Sequence, residues 1–349
     1  MDEVEGKVPE PTNEELLLRE VTAIEAMQGR LSNARRQQAF EANRAKRREG
    51  KGNHTPRVLI YSATEQFRHD SIPTAVQALK DAGNSASITF DATEDKSLFT
   101  DDNLKQYDAL VFLSNTGEVL GDDGIAAFQK YLNLGGNFIG IHSATDCLNT
   151  TEFYGREIGA YFDYHPELTN ATVDVLDRSH PSTSMLSEQW QVRDEMYNFK
   201  SDPRDVGAVV LLSADESTYD DPGERKYNQG TPHPTAWYQE KGAGVQDGNT
   251  AGRSFYTSLG HLSETWHDDT FMAHVMGGIK WALDANTTLA FNSSASVGNG
   301  EAGNASSTAS DGAAQATQSS SDENGSATIA NHFSISGGLF LAGLLALSA

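Results

Sequence analysis

The chain has 349 residues and carries 49 acidic against 26 basic side chains. The resulting net charge of −23 argues against nonspecific binding to nucleic acid or to an anionic membrane, and the length allows one large domain or two with a substantial core. The single cysteine, Cys147, excludes an intramolecular disulfide framework and any cysteine-rich metal site.

Residues 1–51 contain ten acidic and ten basic side chains, so the whole acidic excess lies downstream. Residues 13–48 read as a charged helix with Leu17, Val21, Ile24 and Leu31 at helical spacing, ending in the basic run Arg44, Lys46, Arg47, Arg48. The segment 1–55 is read as a solvated extension of the domain, or a mispredicted exon, rather than as a nucleic-acid or partner-binding arm. The folded domain is expected over 56–286. It opens with Val58-Leu59-Ile60-Tyr61, a continuous apolar strand of the buried parallel type. The loop Thr64–Asp70 carries His69, and Ser71 is the expected cap of a helix with Pro73 in its first turn and Ile72, Val76 and Leu79 on one face.

A second short strand is expected at Ser87–Phe90 and a third at Asp108–Leu113, opening into Ser114-Asn115-Thr116-Gly117. Ile125, Phe128 and Leu132 mark a helix that leads to the glycine turn Gly135-Gly136. From that turn the strand Asn137–Ile141 runs into His142 at a sharp strand-to-helix bend, the position where an elbow nucleophile sits in other α/β enzymes. Strands alternating with helical patterns indicate a parallel sheet with helices on both faces, and ligands of such sheets bind outside the carboxyl ends of the strands. His69, Asn115 and His142 are therefore expected near one edge.

After residue 150 the pattern changes to short strands and aromatic-rich loops. His165-Pro166, His180-Pro181 and His233-Pro234 are three His-Pro pairs. Strands are expected at Ala171–Leu176 and Val209–Leu212, and Asp194-Glu195-Met196-Tyr197 lies between them. Arg253–His261 repeats the pattern of an apolar strand ending in glycine and histidine. A last helix is expected at about Asp269–Ala285, where Gly277-Gly278 permits close packing. Histidine, aspartate and glutamate together suit a divalent metal such as zinc, or acid–base catalysis, although no H-E-x-x-H or other close ligand spacing is present.

Phe67-Arg68-His69, Gly135-Gly136 through Gly140-Ile141-His142, His165-Pro166, His180-Pro181, Asp194-Glu195 with Tyr197, Gly260-His261 and Gly278-Ile279 with Trp281-Ala282 together resemble the trehalose-utilisation (ThuA-like) family, over roughly Arg57–Leu283. The resemblance implies an α/β fold, flavodoxin-like and related to class I glutamine amidotransferases: a parallel sheet with helices on both faces and an added, mostly β region. It also implies a link to carbohydrates, with trehalose and its 3-keto derivatives as the family's context. Amidotransferases of that superfamily carry cysteine at the elbow; this chain has His142 there, and Cys147 lies five residues later, so a thiol mechanism is not expected.

The expected activity is therefore acid–base chemistry on a sugar or glycoside by His69, His142 and Glu195. Asn115, Asp194, Tyr197 and His261 are the expected substrate contacts, and His165, His180 and His233 the candidates, with His261, for a divalent metal. A non-catalytic carbohydrate-binding surface protein is the alternative. Tyr161, Tyr164, Trp237, Tyr238 and Trp266 are available to stack on sugar faces, core packing being the competing role. The expected partner is a small carbohydrate, with no nucleic acid.

From Asn286 the composition turns to Ser, Ala, Gly, Asn and Thr, which cannot bury enough apolar surface to offset ordering entropy. Residues 287–332 are expected to form a disordered stalk and 333–349 a hydrophobic tail. Ile335–Ala349 is short for a membrane span, whereas Asn324-Gly325-Ser326, eight intervening residues and this apolar end fit a removable glycolipid-anchor signal, with a plain tail anchor as runner-up. The seven Asn-x-Ser/Thr sequons (Asn53, Asn149, Asn170, Asn286, Asn292, Asn304, Asn324) agree with a secreted, surface-anchored protein, although this composition also makes sequons by chance. Such an anchor requires secretory entry, and Met1-Asp2-Glu3-Val4-Glu5 lacks the basic start and apolar core of a signal peptide, so the reading also requires a different N-terminus. Peptide mapping of the native protein should then find no residues after the cleavage site, with release by a phosphatidylinositol-specific phospholipase. Intact Leu344–Ala349 on phospholipase-resistant protein contradicts this and leaves a tail-anchored or cytoplasmic protein.

Overall fold

The structure, a computed structural model, describes residues 54–298. The expected N-terminal helix, most of the stalk, and the C-terminal tail with its anchor signal lie outside the described residues. Within them, no helix is long and apolar enough to cross a membrane.

The first half alternates strand and helix. Strand β1 (Arg57–Tyr61) leads to helix α1 (Ile72–Ala86), β2 (Thr89–Thr93), the short α2 (Asp101–Leu104), β3 (Ala109–Leu113) and the two-residue β4 (Thr116–Gly117). Helix α3 (Asp122–Asn133), β5 (Asn137–Ile141), β6 (Asp146–Cys147) and α4 (Glu152–Ile158) follow. The second half is mostly β: β7 (Phe162–Tyr164), β8 (Thr169–Val175), β9 (Gln189–Asp194), β10 (Asn198–Phe199), β11 (Val209–Ala214), β12 (Pro234–Gln239) and β13 (Ser254–Thr257), closed by α5 (Asp269–Leu283).

Nine strands form one sheet in the order β2-β1-β3-β5-β13-β12-β11-β8-β9. The pairings from β2 to β13 are parallel, and those from β13 through β12, β11 and β8 to β9 are antiparallel. The result is a flavodoxin-like parallel half extended by an antiparallel half. The parallel strands β3 and β5 are buried at every position, as expected of strands covered on both faces. One core, on the side of α1 and α5, holds Val58, Ile60, Leu79, Val111, Ile139, Phe271, Val275 and Ile279. The other, beneath α3 and α4, holds Leu59, Phe112, Phe128, Leu132, Phe138, Tyr154 and Ile158. Helix α5 lies close to the sheet because a side chain at Gly277 would strike the Pro181 and Ser182 backbone, and one at Gly278 the Phe255 ring.

Three details depart from the sequence reading. Ser71 makes no side-chain cap on α1; its hydroxyl donates to the Gly260 carbonyl at 3.3 Å. Strands β9 and β12 were hidden in polar or proline-led sequence. Residues 287–298, expected to open the stalk, instead pack back on the domain. The buried Asp108 carboxylate accepts the Ala290 N–H at 2.7 Å and the Arg57 N–H at 3.0 Å, and Val297 is fully buried.

A test of the packing lies in α4. Glu157 is buried; one carboxylate oxygen accepts the Gly244 N–H at 3.0 Å while Oε1 has no hydrogen-bond partner. Burial raises its pKa to about 7 from an ordinary 4.5. A folded-state pKa above the unfolded one stabilises the fold below pH 4.5, and that contribution is lost as pH rises to about 7. Glu157→Gln should therefore match the parent near pH 4.5 and exceed its stability by up to about 3 kcal/mol at pH 8, in chemical denaturation. An equal difference at both pH values contradicts the assignment.

Candidate active site

The histidine-bearing loops converge at the carboxyl ends of the parallel strands. His142 follows β5 directly and sits at φ +55°, a left-handed conformation uncommon among residues other than glycine. The bend turns its ring off the sheet, and Nδ1 lies 2.7 Å from the Ser258 carbonyl at the end of neighbouring β13. A carbonyl only accepts, so Nδ1 carries the proton and the bare Nε2 points outward.

His69 comes from the loop after β1. That loop is pinned to the segment after β3: the Glu65 N–H donates to Thr116 O at 2.8 Å, the Thr116 hydroxyl to Phe67 O at 2.7 Å, and the Asn115 amide to Ala63 O at 3.0 Å. His69 Nε2 then lies 3.0 Å from His142 Nε2, and its Nδ1 3.4 Å from the Ser143 hydroxyl.

Glu195 and His261 arrive together through Asp194. The Trp190 ring of β9 lies 5.7 Å from the His274 ring on α5. At the end of β9 the buried Asp194 carboxylate accepts the Gly260 N–H at 2.8 Å, and its other oxygen accepts the Glu195 N–H at 2.9 Å and the His261 N–H at 3.4 Å. Gly260, at φ +129°, has its carbonyl held by the Trp266 indole N–H at 3.0 Å. The clamp sets Glu195 Oε2 at 3.1 Å from His261 Nδ1 and 3.6 Å from His142 Nε2. The Tyr197 hydroxyl is 3.1 Å from the same His142 nitrogen. Half-exposed His165 stands at the mouth, Nδ1–H donating to the Pro166 carbonyl and Nε2 3.5 Å from Glu195 Oε1.

The electrostatics follow from burial. His69 is pushed down to about 4 by desolvation and then by its histidine neighbours, and His142 well below its ordinary value by the same causes, so both are neutral at pH 7. The Glu195 carboxylate beside His261 raises that imidazole. Desolvation opposes the ionised form of Glu195, but its histidine neighbours together outweigh it and hold the carboxyl below its usual range. Asp194, wholly buried, is raised to about 7 by desolvation despite its three N–H donors.

The crevice thus gathers His69, His142, Glu195 and His261, whose ligand-type atoms all lie within 4.8 Å of one another, with Tyr197 and His165 beside them. Among the described residues it is the one such His/Cys/Asp/Glu group. The other expected site residues take different places. Asn115 is fully buried and braces the β1 loop, and Asp194 serves backbone N–H groups rather than an exposed ligand.

His180 does not join the cluster. It bonds to the Ser182 hydroxyl and packs between Tyr238 and Trp281 in the core, because α5 and the sheet enclose its loop. His233 also stays apart, with Nε2–H on the Tyr197 carbonyl at 2.8 Å and Nδ1 on Glu216 at 2.9 Å, so it supports Tyr197 from behind. Cys147 is buried against the Ala144 carbonyl and the Tyr154 hydroxyl, and burial pushes its thiol up. Trp237 and Trp266 are core residues at 1% exposure.

One residue escaped the sequence reading of sugar-stacking rings. Phe67 is 64% exposed on the pinned loop, its ring edge-on to His69 at 4.7 Å. The signal available was an aromatic residue two positions before a crevice histidine.

Comparison with solved structures places this architecture among ThuA-like proteins. A ThuA-like protein from Bacteroides uniformis is 20% identical with a TM-score of 0.53, covering 67% of this chain and 94% of its own. One from Parabacteroides merdae is 18% identical, TM-score 0.48, covering 65% and 89%. The glutaminase domain of Trypanosoma brucei CTPS is 12% identical, TM-score 0.37, covering 65% and 94%. Comparison with curated protein sequences gives no match. The family model ThuA, described as trehalose utilisation, matches residues 57–282. That match spans well over half of the sequence and takes in every residue of the crevice: the chain belongs to the ThuA family.

Proposed function

We propose that the crevice transforms a sugar or glycoside, with trehalose-related and 3-keto sugars the first class to test. Family membership supports a carbohydrate-related function. The observation that carries a reaction, beyond binding, is the convergence of two bare or nearly bare imidazole nitrogens and a carboxylate at the strand ends, around a backbone bend at φ +55°. Glu195 is the base: Oε2 faces His261 on one side and Oε1 faces the half-exposed His165 on the other. It takes a proton from a sugar hydroxyl, or from the carbon next to a keto group. His69 and His142, kept neutral by burial, act as lone-pair donors to the site rather than as acids. The Tyr197 hydroxyl, held neutral by desolvation, donates a hydrogen bond into the same space. The exposed Phe67 ring offers an apolar face for a sugar ring at the entrance.

The test is proton NMR of the full chain with trehalose, 3-keto-trehalose and a 3-keto-glucoside. Product should form, and His142→Ala should cut turnover about 100-fold or more, the usual scale for losing a positioned catalytic group. Cys147→Ser should leave turnover within a few-fold, since the thiol is buried away from the crevice. Sugar binding without product would leave a carbohydrate-binding protein instead, and neither binding nor product with any sugar overturns the proposal.

A further inference from the structure

We propose that His69, His142, Glu195 and His261 bind one divalent transition-metal ion, with zinc as the first candidate. The inference deepens the reading of the crevice as a reaction centre, and its evidence lies in the donor geometry alone.

Ligands at zinc-type bond lengths, set tetrahedrally about one ion, stand about 3.3 Å apart. Here the neighbouring donor atoms stand at 3.0 Å (His69 Nε2 to His142 Nε2), 3.6 Å (His142 Nε2 to Glu195 Oε2) and 3.1 Å (Glu195 Oε2 to His261 Nδ1). The four residues come from four separate segments after β1, β5, β9 and β13, so no local sequence pattern accounts for their meeting.

Hydrogen bonding alone serves this arrangement poorly. His142 Nε2 has a single lone pair, yet His69 Nε2 at 3.0 Å and the Tyr197 hydroxyl at 3.1 Å both aim at it. His261 Nδ1 is buried and has no aligned hydrogen bond, although the Glu195 oxygen is 3.1 Å away. A cation between these atoms satisfies every lone pair at once. An unpaired buried polar atom, by contrast, keeps the full cost of its lost hydration.

The outer contacts are also those of a metal site. A ligating histidine characteristically donates its other N–H to a carbonyl or carboxylate, which fixes tautomer and orientation. His142 does so to Ser258 at 2.7 Å. His69 ligates through Nε2 once its proton sits on Nδ1, where the Ser143 hydroxyl is in place to accept it at 3.4 Å. Asp194 holds the backbone N–H groups of both Glu195 and His261, so one buried carboxylate sets two ligands. Three imidazoles and one carboxylate, without a thiolate, match borderline divalent ions rather than calcium or magnesium, which take oxygen ligands. Four protein ligands fill a tetrahedral shell, so the bound ion would act as a Lewis acid on a sugar oxygen only by taking that oxygen as a fifth ligand.

The experiment uses untagged full-length protein, stripped with a chelator and titrated with Zn²⁺ against a chromophoric competitor, and with Co²⁺ by visible absorption. One equivalent of each should bind. Glu195→Gln and His142→Ala should each weaken Zn²⁺ binding about 100-fold or more, beyond what loss of an outer contact does. His267→Ala, an exposed histidine away from the cluster, should leave it within a few-fold. Near-ultraviolet circular dichroism establishes that each variant is folded, and the near-isosteric Glu195→Gln keeps the test valid if His142→Ala is not. Folded parent protein without stoichiometric metal, or folded Glu195→Gln binding as tightly as the parent, overturns the proposal. Full sugar turnover by metal-stripped protein overturns a role for the ion in the reaction and leaves the sugar reading standing. Stoichiometric zinc with no sugar turned over supports the ion and removes the sugar reading alone.

Discussion

The hydrogen bond from His142 Nδ1–H to the Ser258 carbonyl, 2.7 Å long and wholly buried, is the constraint on which the crevice depends. It ties the end of β5 to the end of its parallel neighbour β13 and fixes which nitrogen of His142 faces outward. The left-handed backbone at His142 costs on the order of 1–3 kcal/mol, and the surrounding packing has to hold it. Part of that hold comes from the Tyr256 hydroxyl, which donates to the His142 carbonyl at 2.8 Å. If the ring turned over, Cδ2 would face the Ser258 carbonyl and Cε1 would stand where the bare Nε2 now is, so both the bond and the nitrogen would be lost to the site.

The second constraint is Asp194, which joins the two halves of the sheet. The parallel half alone brings His69, His142 and His261 to one edge, as any doubly wound sheet does with residues at strand ends. The carboxylate Glu195 belongs to the antiparallel half, at the sheet's far edge in strand order. The Asp194 bonds to Gly260, His261 and Glu195 tie it to the end of β13. A buried carboxylate committed to backbone N–H groups is a positioning device, and it explains how a residue so far along the sheet faces the first strand's histidine.

Much of the parallel half was legible in the sequence because buried parallel strands read as apolar runs: Val58–Tyr61, Ala109–Leu113 and Asn137–Ile141 all formed strands close to the expected bounds. His69, His142 and His261 could be placed together because each follows such a run. Strand β9, Gln-Trp-Gln-Val-Arg-Asp, alternates on an edge and was unreadable as a strand among loops. The clamp was unreadable for a different reason: its partners are backbone N–H groups of Gly260, His261 and Glu195, which carry no side-chain signal. His180 and His233 share the His-Pro pattern of His165, yet tertiary packing sends one into the core and one behind Tyr197. Local sequence cannot separate the three.

The most direct measurement is the tautomeric state of the buried histidines by long-range proton–nitrogen NMR of ¹⁵N-histidine-labelled protein at neutral pH. His142, identified by its loss in a His142→Gln variant, should appear as the neutral Nδ1–H tautomer with its Nε2 unprotonated. A His142 with its proton on Nε2 would mean that the Ser258 bond does not form, and an imidazolium would mean that no bare nitrogen faces the crevice; either contradicts the account.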